Sequence, residues 1–494
     1  MSRHLTAHYR FLRAVVRLLT RAFFKEIVCE GAERVPEDAG GLVIAWHPNG
    51  LVDPALILAN FPGRIVFGAR HGLFRWPIIG WLMRSIGTVP IYRAQDTSKL
   101  TSKDRREANE ASLEALATEL ASGSYSALFP EGLSHDEPHV SEVKTGAARL
   151  YYRAVELSAT DANEPVIIPV GLHYDRKEIF RSRALVWFHE PMRIPDDLTA
   201  APGQPVSADR RREMLRGLTS LIEETLIEVA RSTDDWDLHH LMHRLRKMLR
   251  AERSGRAGKD PGPPSIAERE LGFARVWYTY QAWREKLPAE IEKLRAAVAA
   301  YDRDLEAIGL EDHELSIDPR LASPWWLALS VLQFVLVFLL LPPILVAGYV
   351  INIVPYYLLK GVTRLVAKQT KDLASVKIIG GALLFPSTWA LAAYLAAKAH
   401  HELHLMFPTI PDVPIVAAVT TVVLGIAGGL IALVYFELSS DTWRAIRVRV
   451  TRRRQREAVA SLCTRRSQIC ERVERRMLSL ADTSEGRTAT RRTE

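Results

Sequence analysis

Short apolar runs separated by polar turns dominate the chain between residues 40 and 195. Residues 41–45 and 166–171 are almost wholly apolar, which is typical of short strands that are covered on both faces. Residues 210–228 instead repeat apolar side chains at helical spacing. Because strand-like runs are followed by helical segments, the pattern predicts an α/β domain in this part of the chain.

The first residues also carry apolar side chains at helical spacing, but arginines interrupt them. The apolar positions are Leu5, Tyr9, Leu12, Val16, Leu19 and Phe23. The arginines are Arg3, Arg10, Arg13, Arg17 and Arg21. This pattern lacks the uncharged core of a signal peptide and predicts a basic amphipathic helix. Two placements are open: the helix lies on a membrane surface, or its apolar face packs on the α/β domain.

The C-terminal part of the chain is strongly apolar. Residues 325–359 contain no charged side chain and are interrupted by Pro342 and Pro343, so they predict either two short legs of a hairpin or one kinked span. Residues 378–397 and 414–436 are two further membrane candidates. The pattern therefore predicts a helical, membrane-embedded region.

Positive charges flank these apolar segments. Arginines crowd residues 444–456, and lysines and an arginine occupy residues 360–377. Because juxtamembrane Lys and Arg favour the cytoplasmic face, the α/β domain is predicted to lie on that side. Positive clusters at both ends of one segment favour hairpins or re-entrant elements, so the number of crossings stays open. Gly425 and Gly429, four residues apart in the last segment, are typical of close helix packing.

These patterns divide the 494 residues into five regions, since the chain is too long for one ordinary core. The regions are a basic amphipathic helix at 1–30, an α/β domain at 31–235, a helical linker region at 236–320, a membrane-embedded helical region at 321–438, and a basic C-terminal helix and tail at 439–494. Within the linker region, residues 267–310 are charged and periodic, which predicts one long solvated or paired helix.

The charge balance points to anionic partners. Lys and Arg number 65 against 57 Asp and Glu, a formal net charge of +8, which suits lipid phosphates, coenzyme A or a membrane surface. Nucleic acid is not predicted, because no aromatic-rich binding motif accompanies the charge. The three cysteines, Cys29, Cys463 and Cys470, lack metal-site spacing and indicate a reducing, cytosolic side.

His47 and Asp53 are the strongest candidates for chemistry. Pro48 biases His47 toward extended geometry, so His47 should stand at the end of the strand at 41–45, while a turn places Asp53 in the first turn of the next helix. A neutral histidine can take a proton from an attacking hydroxyl, and a carboxylate on its other ring nitrogen fixes the tautomer. The alternative is a core or loop histidine beside a helix-dipole carboxylate.

Three further blocks follow in a fixed order, and each supplies a group that the same chemistry needs. Arg93 comes just after a strand-like segment and suits bidentate capture of a phosphate. Residues 129–134 follow another apolar segment and offer the Glu131 carboxylate, the Gly132 backbone, which permits close approach, and the Ser134 hydroxyl. The third block is the strand-like run at 166–171.

Together the four blocks resemble the ordered motifs of the phospholipid/glycerol acyltransferase superfamily, over residues 40–195. Further matches lie at 77–81 and 144–149. In narrower detail the chain resembles the fungal-type glycerol-3-phosphate/dihydroxyacetone-phosphate acyltransferases. That likeness rests on residues 134–136, 180–184 and 188–191. Five residues separate His47 from Asp53, whereas the commonest form of the superfamily has four; the Pro-Asn-Gly form is typical of the fungal-type branch.

The resemblance implies a mixed central sheet flanked by helices and a role for each candidate. His47 is the general base, Asp53 its partner, and Arg93, Glu131 and Gly132 shape the acceptor phosphate site. Additional substrate-binding candidates are Ser134, Lys144 and Arg70. No metal and no cofactor are expected, because acyl-CoA or acyl-ACP enters as a co-substrate that is already activated.

The implied function is transfer of a fatty acyl group to the hydroxyl of glycerol-3-phosphate or dihydroxyacetone phosphate in phosphatidic acid and phospholipid biosynthesis, at a membrane. One alternative acceptor is 1-acyl-glycerol-3-phosphate (lysophosphatidate), and an alternative of another class is a non-catalytic membrane carrier of lipid or acyl chains. A hydrolase triad at residues 134–136 is not expected, because consecutive side chains diverge.

Overall fold

The computed structural model describes residues 5–92, 101–158, 164–199, 207–258, 263–316 and 324–481. The chain forms two compact units. The first unit contains Met1–Trp236 together with Lys368–Ile378, and the second contains Asp237–Ala367 and Ile379–Glu494. Residues 5–30 thus share a unit with the α/β domain, and a short segment from far along the chain joins them.

One mixed sheet of seven strands, counted over the described residues, forms the centre of the first unit. The strands are β1 (Glu26–Glu30), β2 (Gly41–Ala45), β3 (Ile65–Arg70), β4 (Val89–Ile91), β5 (Tyr125–Leu128), β6 (Val166–Tyr174) and β7 (Arg183–Phe188). Their spatial order is β1-β7-β6-β2-β5-β3-β4. Only the β6–β7 pair among these is antiparallel, so the predicted α/β fold with a mixed sheet is confirmed.

Helices cover both faces of this sheet, which explains why β2 is apolar at every position. Val43 and Ala45 pack into the core that lies under α1 and α2. Leu42 and Ile44 point to the opposite face and pack against α4, α5 and α6. The helices of this unit are α1 (Ala7–Phe23), α2 (Val52–Asn60), α3 (Pro77–Ser85), α4 (Ser102–Ala121), α5 (Gly146–Leu157) and α6 (Ala208–Ala230).

The N-terminal helix α1 packs on the α/β domain, which decides between the two placements that the sequence left open. Its apolar face is buried. The guanidinium groups of Arg13 and Arg17 donate to main-chain carbonyls at the end of α2, those of Phe61 and Ala59. Arg13 and Arg17, two of the five arginines that resemble a membrane-binding face in sequence, therefore satisfy the C-terminal carbonyls of a neighbouring helix.

Tyr9 connects α1 to β3, and its removal should weaken the unit. The Tyr9 hydroxyl donates to the Ile65 carbonyl at 3.2 Å and accepts from the Ile65 amide at 3.1 Å. Tyr9→Phe leaves both buried groups without this partner, so we expect the free energy of unfolding to fall by about 1–3 kcal/mol. Denaturant unfolding of the full-length protein in detergent measures this; an unchanged midpoint would show that α1 does not stabilise the sheet.

The second unit is helical. Its helices are α7 (Trp236–Arg256), α8 (Ile266–Trp283), α9 (Pro288–Ile308), α10 (Pro324–Val335), α11 (Leu341–Val366), α12 (Thr370–Met406), α13 (Pro414–Arg454) and α14 (Arg456–Ala481), with the start of α12 lying in the first unit. The single long helix predicted at 267–310 is wrong: α8 ends at Trp283, and Pro288 begins a new helix because proline fits the first helical turn.

Charged groups hold the extramembrane helices of this unit together. The Arg244 guanidinium donates to Asp302 at 2.8 Å and to Asp312 at 2.8 Å, and the Tyr301 hydroxyl donates to Asp312. Arg466, which is buried, donates to Glu252 at 3.1 Å. Each of the charged groups named here has an opposite charge beside it, as burial requires.

Two helices among the described residues are long and apolar enough to cross a membrane, α12 and α13. Their positions overlap the predicted candidates at 378–397 and 414–436, so the C-terminal helical membrane region is confirmed. The predicted candidate at 325–359 is divided into α10, one π-helical turn at Leu336–Leu340 and α11. The π-helical turn interrupts the α-helix just before Pro342 and Pro343, the two prolines that were expected to interrupt it.

Close helix packing occurs in this region, but the closest crossing uses Gly428 and not the predicted pair Gly425 and Gly429. A Cβ atom on Gly348 of α11 would lie 2.4 Å from the Gly428 Cα of α13, so neither position can carry a side chain. Beside this crossing, the Asn352 amide donates to the Gly425 carbonyl at 2.8 Å and accepts from the Trp389 indole at 3.0 Å. The polar Asn352 is thereby satisfied among apolar helices.

Candidate active site

The predicted site residues gather where parallel strands end. His47 follows β2, Glu131 follows β5 and Arg70 is the last residue of β3. These three strands are neighbours and run parallel, so their carboxyl ends lie at one edge of the sheet. Tyr174, the last residue of β6, stands at the same edge because β6 pairs with β2 in parallel. Such an edge is where open α/β sheets place their ligand sites.

His47 and Asp53 are in direct contact. Nδ1 of His47 lies 2.8 Å from Oδ2 of Asp53, which is fully buried in the first turn of α2. The imidazole stacks on the Phe129 ring, with centroids 3.9 Å apart, and its side chain is 17% exposed. With the carboxylate on Nδ1, the other ring nitrogen is free to take a proton from a substrate hydroxyl.

Two further groups hold the Asp53 carboxylate. The Asn49 backbone amide donates to Oδ2 at 2.7 Å, and the Tyr174 hydroxyl donates to Oδ1. Burial and the neighbouring Asp53 charge raise the pKa of Tyr174 well above its ordinary value, so this hydroxyl stays protonated and remains a donor. Asp53 therefore keeps a fixed orientation toward His47.

Removing the Tyr174 hydroxyl should slow catalysis without changing substrate binding. Tyr174→Phe deletes one hydrogen bond to a buried carboxylate, so we expect kcat to fall about tenfold at unchanged KM. Steady-state kinetics measure both constants. Tyr125→Phe is the matched control, because it removes a hydroxyl that donates to the distant Pro36 carbonyl. Equal kcat values for both variants would contradict this role for Tyr174.

Glu131 is buried, and both of its carboxylate oxygens accept from the protein. Oε1 accepts from the His47 backbone amide at 3.0 Å. Oε2 accepts from the Ser141 amide at 2.8 Å and contacts His135 Nε2. The His135 amide in turn donates to the His47 carbonyl at 3.1 Å. Glu131 thus shapes the site through the backbone of His47, and its part in shaping the acceptor phosphate site stays a prediction.

The other candidates lie around this pair at the surface. Gly132 is exposed and adopts a φ of 70°, a conformation that glycine favours. Lys144 donates its backbone amide to Pro130 and pairs its ammonium with Glu142 at 2.6 Å. The Ser134 carbonyl accepts from Lys371. Arg70 is exposed at the end of β3.

Arg93, the predicted phosphate ligand, lies outside the described residues. The last described residue before it is Tyr92, which stacks on His71 with ring centroids 4.4 Å apart. The Tyr92 backbone is held by Asn109 through two hydrogen bonds of 2.8 Å. Among the described residues, no group of three His, Cys, Asp or Glu side chains could hold a metal ion.

Several contacts of the site were not predicted from the sequence. Tyr174, Lys177, Lys371 and Ser375 all bond to residues 47–53 or to the loop after Glu131. Tyr174 lies three residues beyond the strand-like run predicted at 166–171, so the observed strand is longer than predicted and carries Tyr174 at its end. Lys371 and Ser375 carry no sequence signal for the site, because they lie in the charged stretch at 360–377 that the sequence assigns to the flank of a membrane segment.

Residues 26–173 match the family model described as Acyltransferase. These residues form an acyltransferase domain of the phospholipid/glycerol acyltransferase superfamily. His47, Asp53 and Glu131 of the acyltransferase domain all lie within the matched segment. The segment includes six of the seven strands, and β7 follows it.

Individual relatives align with part of the chain. An uncharacterised acyltransferase of Schizosaccharomyces pombe is 22% identical over 382 residues, which cover 61% of this chain and 54% of that protein. Glycerol-3-phosphate O-acyltransferase 2 of Saccharomyces cerevisiae is 28% identical over 188 residues, covering 38% and 23%. Lyso-ornithine lipid O-acyltransferase of Rhodobacter capsulatus is 34% identical over 186 residues, covering 33% and 62%. The chain therefore spans about half or less of the two yeast relatives' lengths.

Proposed function

We propose that this acyltransferase domain moves a fatty acyl group from acyl-CoA or acyl-ACP to the hydroxyl of glycerol-3-phosphate or dihydroxyacetone phosphate. The observation that carries the proposal is the contact of His47 with the buried Asp53, at the carboxyl edge of the sheet and inside the segment that matches acyltransferases. The likeness to a yeast glycerol-3-phosphate O-acyltransferase supports the choice of acceptor.

In the proposed reaction the acceptor oxygen attacks the carbonyl carbon of the thioester while His47 takes the hydroxyl proton. The tetrahedral intermediate then expels the thiolate as the carbon–sulfur bond breaks, and the imidazolium returns its proton to sulfur. Asp53 stabilises the imidazolium between these steps. The products are an ester and a free thiol, and no covalent bond to the protein forms, because the thioester is already activated.

Cationic side chains are proposed to hold the acceptor phosphate. Arg93 carries this role by resemblance, since guanidinium binds phosphate in a bidentate manner. Arg70 and Lys144 are the further candidates, because both are exposed. Arg70 ends β3, which pairs with β5, and the Lys144 backbone amide donates to the Pro130 carbonyl in the loop after β5. We also propose that the domain works on the cytoplasmic face of a membrane, which the positive residues around the apolar helices support.

Lysophosphatidate is the second candidate acceptor. The Rhodobacter capsulatus relative carries a name that describes acylation of a lyso-lipid. It is 34% identical over 186 residues, against 28% over 188 residues for the Saccharomyces cerevisiae protein. The acceptor would then be a phosphate ester that already carries one acyl chain, and the free hydroxyl beside that chain would be acylated. The non-catalytic carrier is disfavoured, because a carrier has no need of a buried carboxylate held against a histidine.

A thioester-consumption assay tests the proposal. Purified full-length protein is given an acyl-CoA or an acyl-ACP with glycerol-3-phosphate, dihydroxyacetone phosphate or lysophosphatidate in separate reactions, and mass spectrometry identifies the product. Glycerol, which lacks the phosphate, is the control acceptor. We expect thiol release with one of the first two acceptors and little with glycerol. Faster turnover of lysophosphatidate would favour the second acceptor, and acyl binding without thiol release would favour the carrier.

A further inference from the structure

A segment distant in sequence completes the unit that contains the acyltransferase domain. The segment Lys368–Ile378, here called the α12 segment, begins just before α12 and belongs to the first unit. Ala374 is fully buried in the core that includes Val52 and Leu56 of α2, and Ile378 packs against the same core. The α12 segment is therefore anchored by apolar packing beside the residues that follow His47.

The α12 segment touches residues 47–53, here called the histidine loop. Ser375 Oγ accepts from the Leu51 backbone amide at 3.1 Å, and Ser375 is buried. Gly50 has a φ of 39°, and a Cβ atom there would lie 3.0 Å from the Lys371 carbonyl and 3.1 Å from Ser375 Oγ. The backbone of the histidine loop thus lies directly against the helix.

Lys371 connects the same helix to the loop after Glu131. Its ammonium donates to the Ser134 carbonyl, and its backbone amide donates to Asp136 at 3.3 Å. Asp136 forms an ion pair of 2.6 Å with Lys177, whose ammonium donates to the Pro48 carbonyl at 2.8 Å. The contacts thus run from α12 through Asp136 and Lys177 to the histidine loop, and the bond of Leu51 to Ser375 leads back to α12.

We propose that the α12 segment positions His47 for catalysis and that Ser375 and Lys371 are the positioning residues. Asp53, Asn49 and Tyr174 fix the inner side of the histidine loop, and the α12 segment fixes its outer side. A shift of about 1 Å in a reacting group can cost about a hundredfold in rate, so small movements of this loop matter. This inference rests on the proposed function, in which His47 is the base.

The test uses the full-length protein with two variants and two matched controls. Ser375→Ala removes the acceptor for Leu51, and Lys371→Met removes the ammonium while keeping a long side chain. The controls are Ser387→Ala, whose hydroxyl bonds within α12, and Lys368→Met, which is exposed. Lys371→Arg keeps a cationic donor and serves as the conservative variant.

We expect Ser375→Ala and Lys371→Met to lower kcat about ten- to a hundredfold, with KM for thioester and acceptor within about twofold of the wild type. Lys371→Arg should recover much of the loss, and both controls should match the wild type. Hydrogen exchange at the Leu51 amide should become faster in Ser375→Ala, because its hydrogen bond is lost.

Two kinetic results overturn the proposal. In the first, kcat per folded protein stays within about twofold of the wild type in both variants. In the second, KM rises while kcat is unchanged, which would assign the segment to substrate binding. If the wild type releases no thiol with any acceptor, the proposed function fails. Exchange at Leu51 then decides by itself, and unchanged exchange in Ser375→Ala overturns the positioning of the loop.

Discussion

Changing His47→Ala should lower the rate of thioester consumption by about 10²- to 10⁴-fold, because this range is typical of removing a general base. The fold should survive, since Asp53 keeps its bonds from the Asn49 amide and the Tyr174 hydroxyl when the imidazole is gone. Purified variant and wild-type protein are compared by thiol release and by thermal unfolding.

A second substitution separates proton transfer from the bond to Asp53. In His47→Asn the side-chain amide can donate toward Asp53 at the place of Nδ1 but cannot accept a proton, so we expect it to be as inactive as His47→Ala. His8→Ala is the matched control, because His8 is exposed on α1 and makes only an edge contact with Trp81 among its described ring contacts. Near-normal turnover by either His47 variant would reject the assignment of the base.

Changing Glu131→Gln should reduce activity and stability together. The amide nitrogen of glutamine would face a backbone or imidazole donor, so at least one of the three groups that Glu131 accepts from loses its partner. We expect the free energy of unfolding to fall by about 3 kcal/mol and kcat to fall about a hundredfold, because the His47 backbone moves. Thermal unfolding and steady-state kinetics measure the two effects.

The same experiment distinguishes positioning from substrate contact. If Glu131 instead met the acceptor, KM for the acceptor would rise while the midpoint of unfolding stayed the same. Glu213→Gln is the control, because this carboxylate on α6 is 69% exposed and pairs only with Arg210 among its described ion pairs. A stable variant with a changed acceptor KM would therefore contradict the role that the hydrogen bonds indicate.

Local features of the site could be predicted from the sequence. The apolar run of β2, the effect of Pro48 and the short separation of His47 from Asp53 are near-neighbour properties, and the structure places the pair at 2.8 Å as these properties favour. The α/β class follows in the same way from alternating strand and helix patterns. The catalytic roles of these residues stay predictions, and Arg93 lies outside the described residues.

Long-range features could not be predicted, because linear spacing does not give strand order. Tyr174 reaches Asp53 across 121 positions and Ser375 reaches Leu51 across 324, and only the folded sheet and helix bring them together. The placement of α1 was open for a related reason: a face buried against protein and a face in lipid have the same composition. The bond of Tyr9 to Ile65 distinguishes them.

The division of the first unit between two separate stretches of chain has a consequence for biosynthesis. After Trp236 the ribosome adds about 140 more residues before Ile378 has been made, which takes roughly 7–30 s at about 5–20 residues per second. During this interval the nascent sheet lacks the residues that cover its histidine loop. The acyltransferase domain should therefore reach its finished state late in translation, after the first apolar segment, at 325–359, has been made.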